Sequence, residues 1–148
     1  RIGAAVGLLG VVVAAVLAIA AVFASSNSPA WVDLEVGECF DLAAVVAGES
    51  DADVFTVDTI DCDEQHDAEV VAVGDLNSDR DRVYPSDDVL FDEVARACAT
   101  LIAGAIDEEF YGIVPIAPDE RTWEGRSGRF VCVAVVRGGG PTTGSALG

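Results

Sequence analysis

The chain has 148 residues and a net charge of −18 at pH 7, from 26 acidic residues against eight arginines and no lysine. That balance argues against a nucleic-acid partner, whose phosphates require Lys and Arg, and against lying flat on anionic lipid. It suits solubility, cations or a basic protein surface. Abundant Ala, Val, Gly and Asp, with Arg in place of Lys, is the bias that GC-rich codons produce, and it points to a high-GC bacterial source.

The strongest signal comes first in the chain. Ile2 to Ala24 is an unbroken apolar run of 23 residues without a charge or a hydrogen-bonding side chain. As a helix rising about 1.5 Å per residue it reaches roughly 35 Å, enough to cross a hydrocarbon core of about 30 Å. Within a membrane a single segment satisfies its own amides only as a helix. A cleaved signal peptide is the competing reading, since Val22 and Ala24 fit the −3 and −1 positions of a cut before Ser25. The run exceeds the usual signal core of about 7–15 residues, so a retained single-pass anchor over residues 1–24 is expected. Arg1 before the span indicates a cytoplasmic N-terminus. All four cysteines follow the span, which places the rest of the chain in an oxidising, extracytoplasmic compartment of the cell membrane. The chain contains no Met and begins with Arg, so a start upstream is expected.

Along the span, Gly3, Gly7, Gly10, Ala14, Ala18 and Ala21 make one small-residue stripe that includes a Gly3-x-x-x-Gly7 pair. Such stripes let helices approach closely in lipid. The expected partners of the span are therefore integral membrane subunits, with a basic protein surface as a partner for the external domain.

After a Ser/Pro linker at residues 25–30, a domain is expected over residues 31–137, about 107 residues and one core. Val32–Phe40 reads as extended with a turn at Gly37. Val54–Ile60 alternates as a strand, Glu69–Val73 is a second β-rich run, and Phe130–Val136 is an apolar central strand covered on both faces. Pro85, Ser86 as N-cap, and Asp87 and Asp88 in the first turn open a helix over Asp87–Ala105. Its core face is Leu90, Val94, Ala97, Cys98, Leu101 and Ile102. The fold class is α+β: a small antiparallel sheet packed on one main helix. Residues 138–148, rich in Gly, read as a mobile linker-like tail.

Four cysteines allow three pairings. Cys39 and Cys62 lie on early strand-like segments, while Cys98 faces the core from the helix and Cys132 sits in the last strand. The expected bridges are Cys39–Cys62 and Cys98–Cys132, each stabilising by roughly 2–4 kcal/mol.

Three constellations carry chemistry by residue type. Cys62-Asp-Glu-Gln-His66 holds the only His, but it lacks a second His, a Cys-x-x-Cys partner and, once Cys62 is bridged, a free thiol. A His hydrogen-bonded in a turn is the expected role. Asp75 to Asp81 imitates half of a calcium loop, but Arg80 and Ser86 stand where Gly and Glu are needed; a solvated acidic loop is expected. Trp123-Glu-Gly-Arg126 reads as a turn with a buried aromatic. No catalytic residue, metal site or cofactor is expected.

Gly37-Glu-Cys39-Phe40, Val57 to Cys62, His66-Asp-Ala-Glu69-Val70, Tyr84-Pro85 before the Cys98 helix, and Trp123 with Arg129 and Cys132 together resemble the actinobacterial septum formation domain over most of residues 31–136. The resemblance marks His66, Trp123 and Arg129 as motif residues. It departs where the family's Trp-x-x-Gly-Asp-Arg stands here as Trp123-Glu-Gly-Arg-Ser-Gly-Arg129. It implies a cell-envelope location and no known enzymology. The leading expectation is a non-catalytic accessory subunit of a membrane assembly, with a respiratory supercomplex as one host. The alternative is a division or envelope factor acting through its external domain; an extracytoplasmic enzyme or metal-binding module is the third.

Overall fold

The computed structural model describes residues 30–42, 57–77, 82–126 and 128–148. The expected anchor, with its Gly3 to Ala21 stripe, and the linker at residues 25–29 lie outside the described residues. Among those residues, no helix is long and apolar enough to cross a membrane.

Five antiparallel strands form one sheet: β1 (Cys39–Phe40), β2 (Thr59–Ile60), β3 (Ala68–Asp75), β4 (Tyr111–Ile116) and β5 (Arg129–Val136), in the order β2-β1-β3-β5-β4. The main helix, α1, spans Asp87–Leu101, and a short helix, α2, spans Glu120–Arg126. The fold is the expected small α+β with two disulfides, Cys39–Cys62 and Cys98–Cys132.

Apolar residues on alternate positions of β3 and β5 face opposite ways, which is the period of a pleated strand. One face carries Phe130, Cys132 and Ala134 against Leu90, Val94, Cys98 and Ile102 of α1 and its end. The other carries Val70, Val131 and Val133 against Trp31, Val32, Leu34 and Phe40. Thus β5 is interior and covered on both sides, as its continuous apolar sequence requires. A bulge between Val70 and Ala72 shifts the register of β3. Beyond it Gly74 pairs with Phe130, and a Cβ on Gly74 would stand 2.3 Å from the Phe130 ring. The ring fills the place of the missing side chain.

Several expected elements are shorter or different. Trp31–Asp33 is a 3-10 turn rather than the start of a strand, because Trp31 and Val32 both bury against one sheet face, which alternation cannot do. Of Val54–Ile60, the strand is Thr59–Ile60; residues 54–56 lie outside the described residues. The helix α1 ends at Leu101, short of Ala105, where the chain turns through Gly104 at φ +73°. Leu101 is 53% exposed rather than in the core, and Ile106 beyond the helix is buried instead. Ser86 holds the N-cap position without a side-chain capping hydrogen bond. Trp123 is buried, but on α2 rather than in a turn.

The tail corrects its expectation most clearly. His66 and Thr142 exchange backbone hydrogen bonds of 3.1 and 2.7 Å, and Gly144 N–H donates to the Cys62 carbonyl at 2.6 Å. Ala146 and Leu147 pack against the helix-side core. The physical reason is Glu69, which is only 2% exposed. A buried carboxylate demands donors, and the tail supplies the Ser145 hydroxyl at 2.7 Å and the Ala146 amide.

Candidate functional site

The sequence-marked residues occupy separate places. His66 precedes β3 and holds its turn by Nδ1 facing the Glu64 carbonyl at 3.0 Å, the structural role expected of it. Arg129, at the start of β5, donates from its guanidinium to the Leu34 carbonyl at 2.8 Å, tying the sheet to the N-terminal turn. Trp123 donates from Nε1 to the Arg82 carbonyl at 2.9 Å and meets Tyr84 edge to face at 5.9 Å. Each motif residue joins a different pair of segments, so the three form no single site. In the acidic loop, Asp75 accepts from the Asn77 amide at 2.7 Å and Asn77 accepts from the Arg82 amide at 3.0 Å. These bonds shape a turn, and residues 78–81 lie outside the described ones.

A different region of the described residues carries a surface feature. The start of α1 and the segment leading from β4 into α2 border two adjoining open clefts that share Tyr84, Asp87 and Asp119. One has a volume of about 640 Å³ and an apolar floor of Val114, Pro115 and Ile116, with Phe91 beside it. The other, about 660 Å³, is rimmed by Asp119, Glu120 and Glu124 as well as Asp87, with Arg121 as its cation. Phe91 is 51% exposed, a large ring left unburied at the mouth. Asp87 and Asp88 occupy the first turn of α1, where they offset the positive helix end. The cleft is thus negative at its rim and apolar at its base.

Tyr84 marks the centre of this electrostatic field. Burial first, then its hydrogen bond to Asp87 and the charges of Asp87, Asp119 and Glu120, push its phenol up to about 12. Behind it, Arg82 stands 5.6 Å from the Trp123 ring centroid and pairs with Glu93 at 2.7 Å. That hydrogen bond holds the Glu93 carboxyl below its ordinary value. The pair is partly exposed, so its contribution to stability is small, about 0–1 kcal/mol.

Sequence reasoning missed this cleft. Its floor comes from β4, where Gly112 and Pro115 interrupt the strand pattern, and its rim from a helix of seven residues, too short to show a period. The available signal was the exposed Phe91 beside Asp87, Asp88 and Asp92 on a helix whose other face is apolar.

These features define a small disulfide-bonded α+β domain whose described surface includes an acidic cleft with an apolar floor. A model of the septum formation family matches residues 25–111, more than half of the chain, and the chain belongs to that family. The matched stretch contains Cys39, Cys62, His66, Glu69 and Cys98 and ends before Trp123, Arg129 and Cys132. No curated protein and no solved structure matches the chain.

Proposed function

We propose that this protein is a non-catalytic septum or cell-envelope factor that works by protein–protein contact through its external domain. The carrying observation is the cleft between α1 and the β4–α2 segment, whose acidic rim and apolar floor suit a basic segment with apolar side chains. Family membership favours this reading over a respiratory host, for which the described residues supply no support. The anchor at residues 1–24 would hold the domain at the outer membrane–water boundary, where a partner's basic flank could reach the cleft.

Fluorescence anisotropy with a labelled peptide of alternating Lys and Leu, against a Glu/Leu counterpart, tests the binding chemistry. The basic probe should bind the full chain, weaken as salt rises, and weaken further in Phe91→Ser and in Asp87→Asn/Asp119→Asn. A fluorescent fusion should gather at division septa. Equal binding of both peptides, or a fusion spread evenly over the membrane and unaffected by the cleft variants, would sink the proposal.

A further inference from the structure

Away from the cleft residues, three buried side chains converge beneath the tail. One donor atom each from Cys39, His66 and Glu69 lies within 4.8 Å of the other two. The three residues are 0%, 1% and 2% exposed. A carbonyl only accepts, so the Glu64 carbonyl fixes the hydrogen on His66 Nδ1 and leaves the lone pair of the neutral ring on Nε2. That Nε2 is buried and has no hydrogen-bond partner among the described residues. Buried polar atoms are ordinarily paired, so an orphaned imidazole nitrogen beside a carboxylate and a sulfur calls for an explanation. Glu69 accepts one hydrogen bond on each oxygen, from Ser145 and Ala146, and keeps a lone pair free on both.

The sulfur decides whether this cluster can bind. A disulfide sulfur is a poor ligand, whereas a thiolate is a strong one. We propose that the Cys39–Cys62 disulfide closes a latent metal site of the zinc class, and that reduction opens it. Cys39 thiolate, the His66 imidazole and the Glu69 carboxylate are the buried donors, and Cys62 supplies the fourth. Zinc bonds of about 2.0–2.3 Å put tetrahedral donors about 3.3–3.8 Å apart. The three buried donors need to close by no more than about 1.5 Å from their present separations to meet that geometry, and Cys62, which lies outside that cluster, reaches it only once the bridge is open.

The two disulfides differ in access. Cys98 and Cys132 are both fully buried, whereas Cys62 is partly exposed at the domain surface. A dithiol reductant therefore attacks Cys62 Sγ. The Cys39–Cys62 bond breaks, a mixed disulfide forms on Cys62, and Cys39 leaves as a thiolate toward His66. The second thiol of the reductant attacks the mixed disulfide, frees Cys62 and departs as a cyclic disulfide. Two electrons and two protons pass to the protein in all, and the metal then displaces the thiol protons. This inference is independent of the cleft and of the septal reading.

The test uses Co2+ as a spectroscopic probe and Zn2+ uptake against a chromophoric chelator, on the full chain. The oxidised protein should show no thiolate-to-cobalt charge-transfer band. Cys62→Ser, which leaves the Cys39 thiol free while peptide mapping verifies an intact Cys98–Cys132 bridge, should bind one ion and show the band. Adding His66→Ala or Glu69→Gln should weaken that binding by at least about tenfold. If Cys62→Ser does not fold, wild type treated with dithiothreitol carries the same comparison, and metal held elsewhere would ignore His66→Ala. No band in either reduced form, or a band unchanged by His66→Ala, overturns the proposal.

Discussion

Single residues do unequal work in this domain, and Trp123 does the most. It fills the helix-side core at 3% exposure, donates to the Arg82 carbonyl, and lies against both Tyr84 and the Arg82 guanidinium. Trp123→Ala should cost about 3–5 kcal/mol, read as a shift in the denaturation midpoint. A loss below about 1 kcal/mol would mean that the surrounding chain collapses onto the gap. Tyr84 offers a direct electrostatic readout. Its raised phenol favours the neutral form in the fold, so the stability it contributes is present below pH 10 and lost as pH rises through about 12. Ultraviolet titration should show one tyrosine ionising near pH 12, moving back toward 10 in Asp87→Asn, which removes both a hydrogen bond and a charge. A Tyr84 phenol that ionises at its ordinary value of 10 would contradict the cleft's geometry. His66 was legible as a turn residue, but its orphaned Nε2 was not, because only tertiary burial strips that atom of water.

At the scale of elements, two connections tie the layers. The Cys98–Cys132 bridge joins α1 to β5 across a sequence separation of 34 residues. Closing a loop of that size removes denatured-state entropy equivalent to about 3–4 kcal/mol. Cys98→Ala/Cys132→Ala should lose that much in a chemical denaturation curve while keeping the helical circular dichroism signal. The tail is the second connection. Removing residues 141–148 deprives the Glu69 carboxylate of the Ser145 and Ala146 donors, and uncovers the core contacts of Ala146 and Leu147. The truncated chain should be less stable by more than about 1–3 kcal/mol, and adding Glu69→Gln should restore part of it, since an amide is cheaper to bury than a charge. An unchanged midpoint would return the tail to the status of a linker. The Cys98–Cys132 pair was readable from the period of α1 and the apolar run of β5, whereas Cys62 lies in a turn beyond β2 and its partner followed only as the remaining pairing. The tail was not readable, because Gly-rich sequence carries no period and its docking depends on one buried carboxylate 76 positions away.

At the scale of the whole molecule, the apolar run proposed as an anchor precedes the folded domain. The apolar run at residues 2–24 carries the Gly/Ala stripe that we propose as a packing face for other membrane helices. If that face binds partners, Gly7→Leu or Gly10→Leu should reduce co-purification in mild detergent while membrane insertion is unchanged. Full recovery of the same partners by both variants would make the helix a tether only. The cleft would then remain the proposed binding surface, toward which the net charge of −18 would draw basic partners at low salt.

Sequence by itself determined the local and the additive properties: charge, the apolar run, the β-rich runs of β3 and β5, the amphipathic period of α1, and through them the α+β class. These follow from nearest-neighbour periodicity, which each segment carries alone. The tertiary structure decided what depends on distant segments meeting. Pro115 can occur in β4 because that strand lies at the sheet edge and pairs only with β5, where a missing amide hydrogen costs little. The acidic cleft exists because α1 stops that edge from being bare, and Cys39, His66 and Glu69 meet only because β1, β3 and the tail close over them. Burial, rather than residue type, turns those side chains into sites.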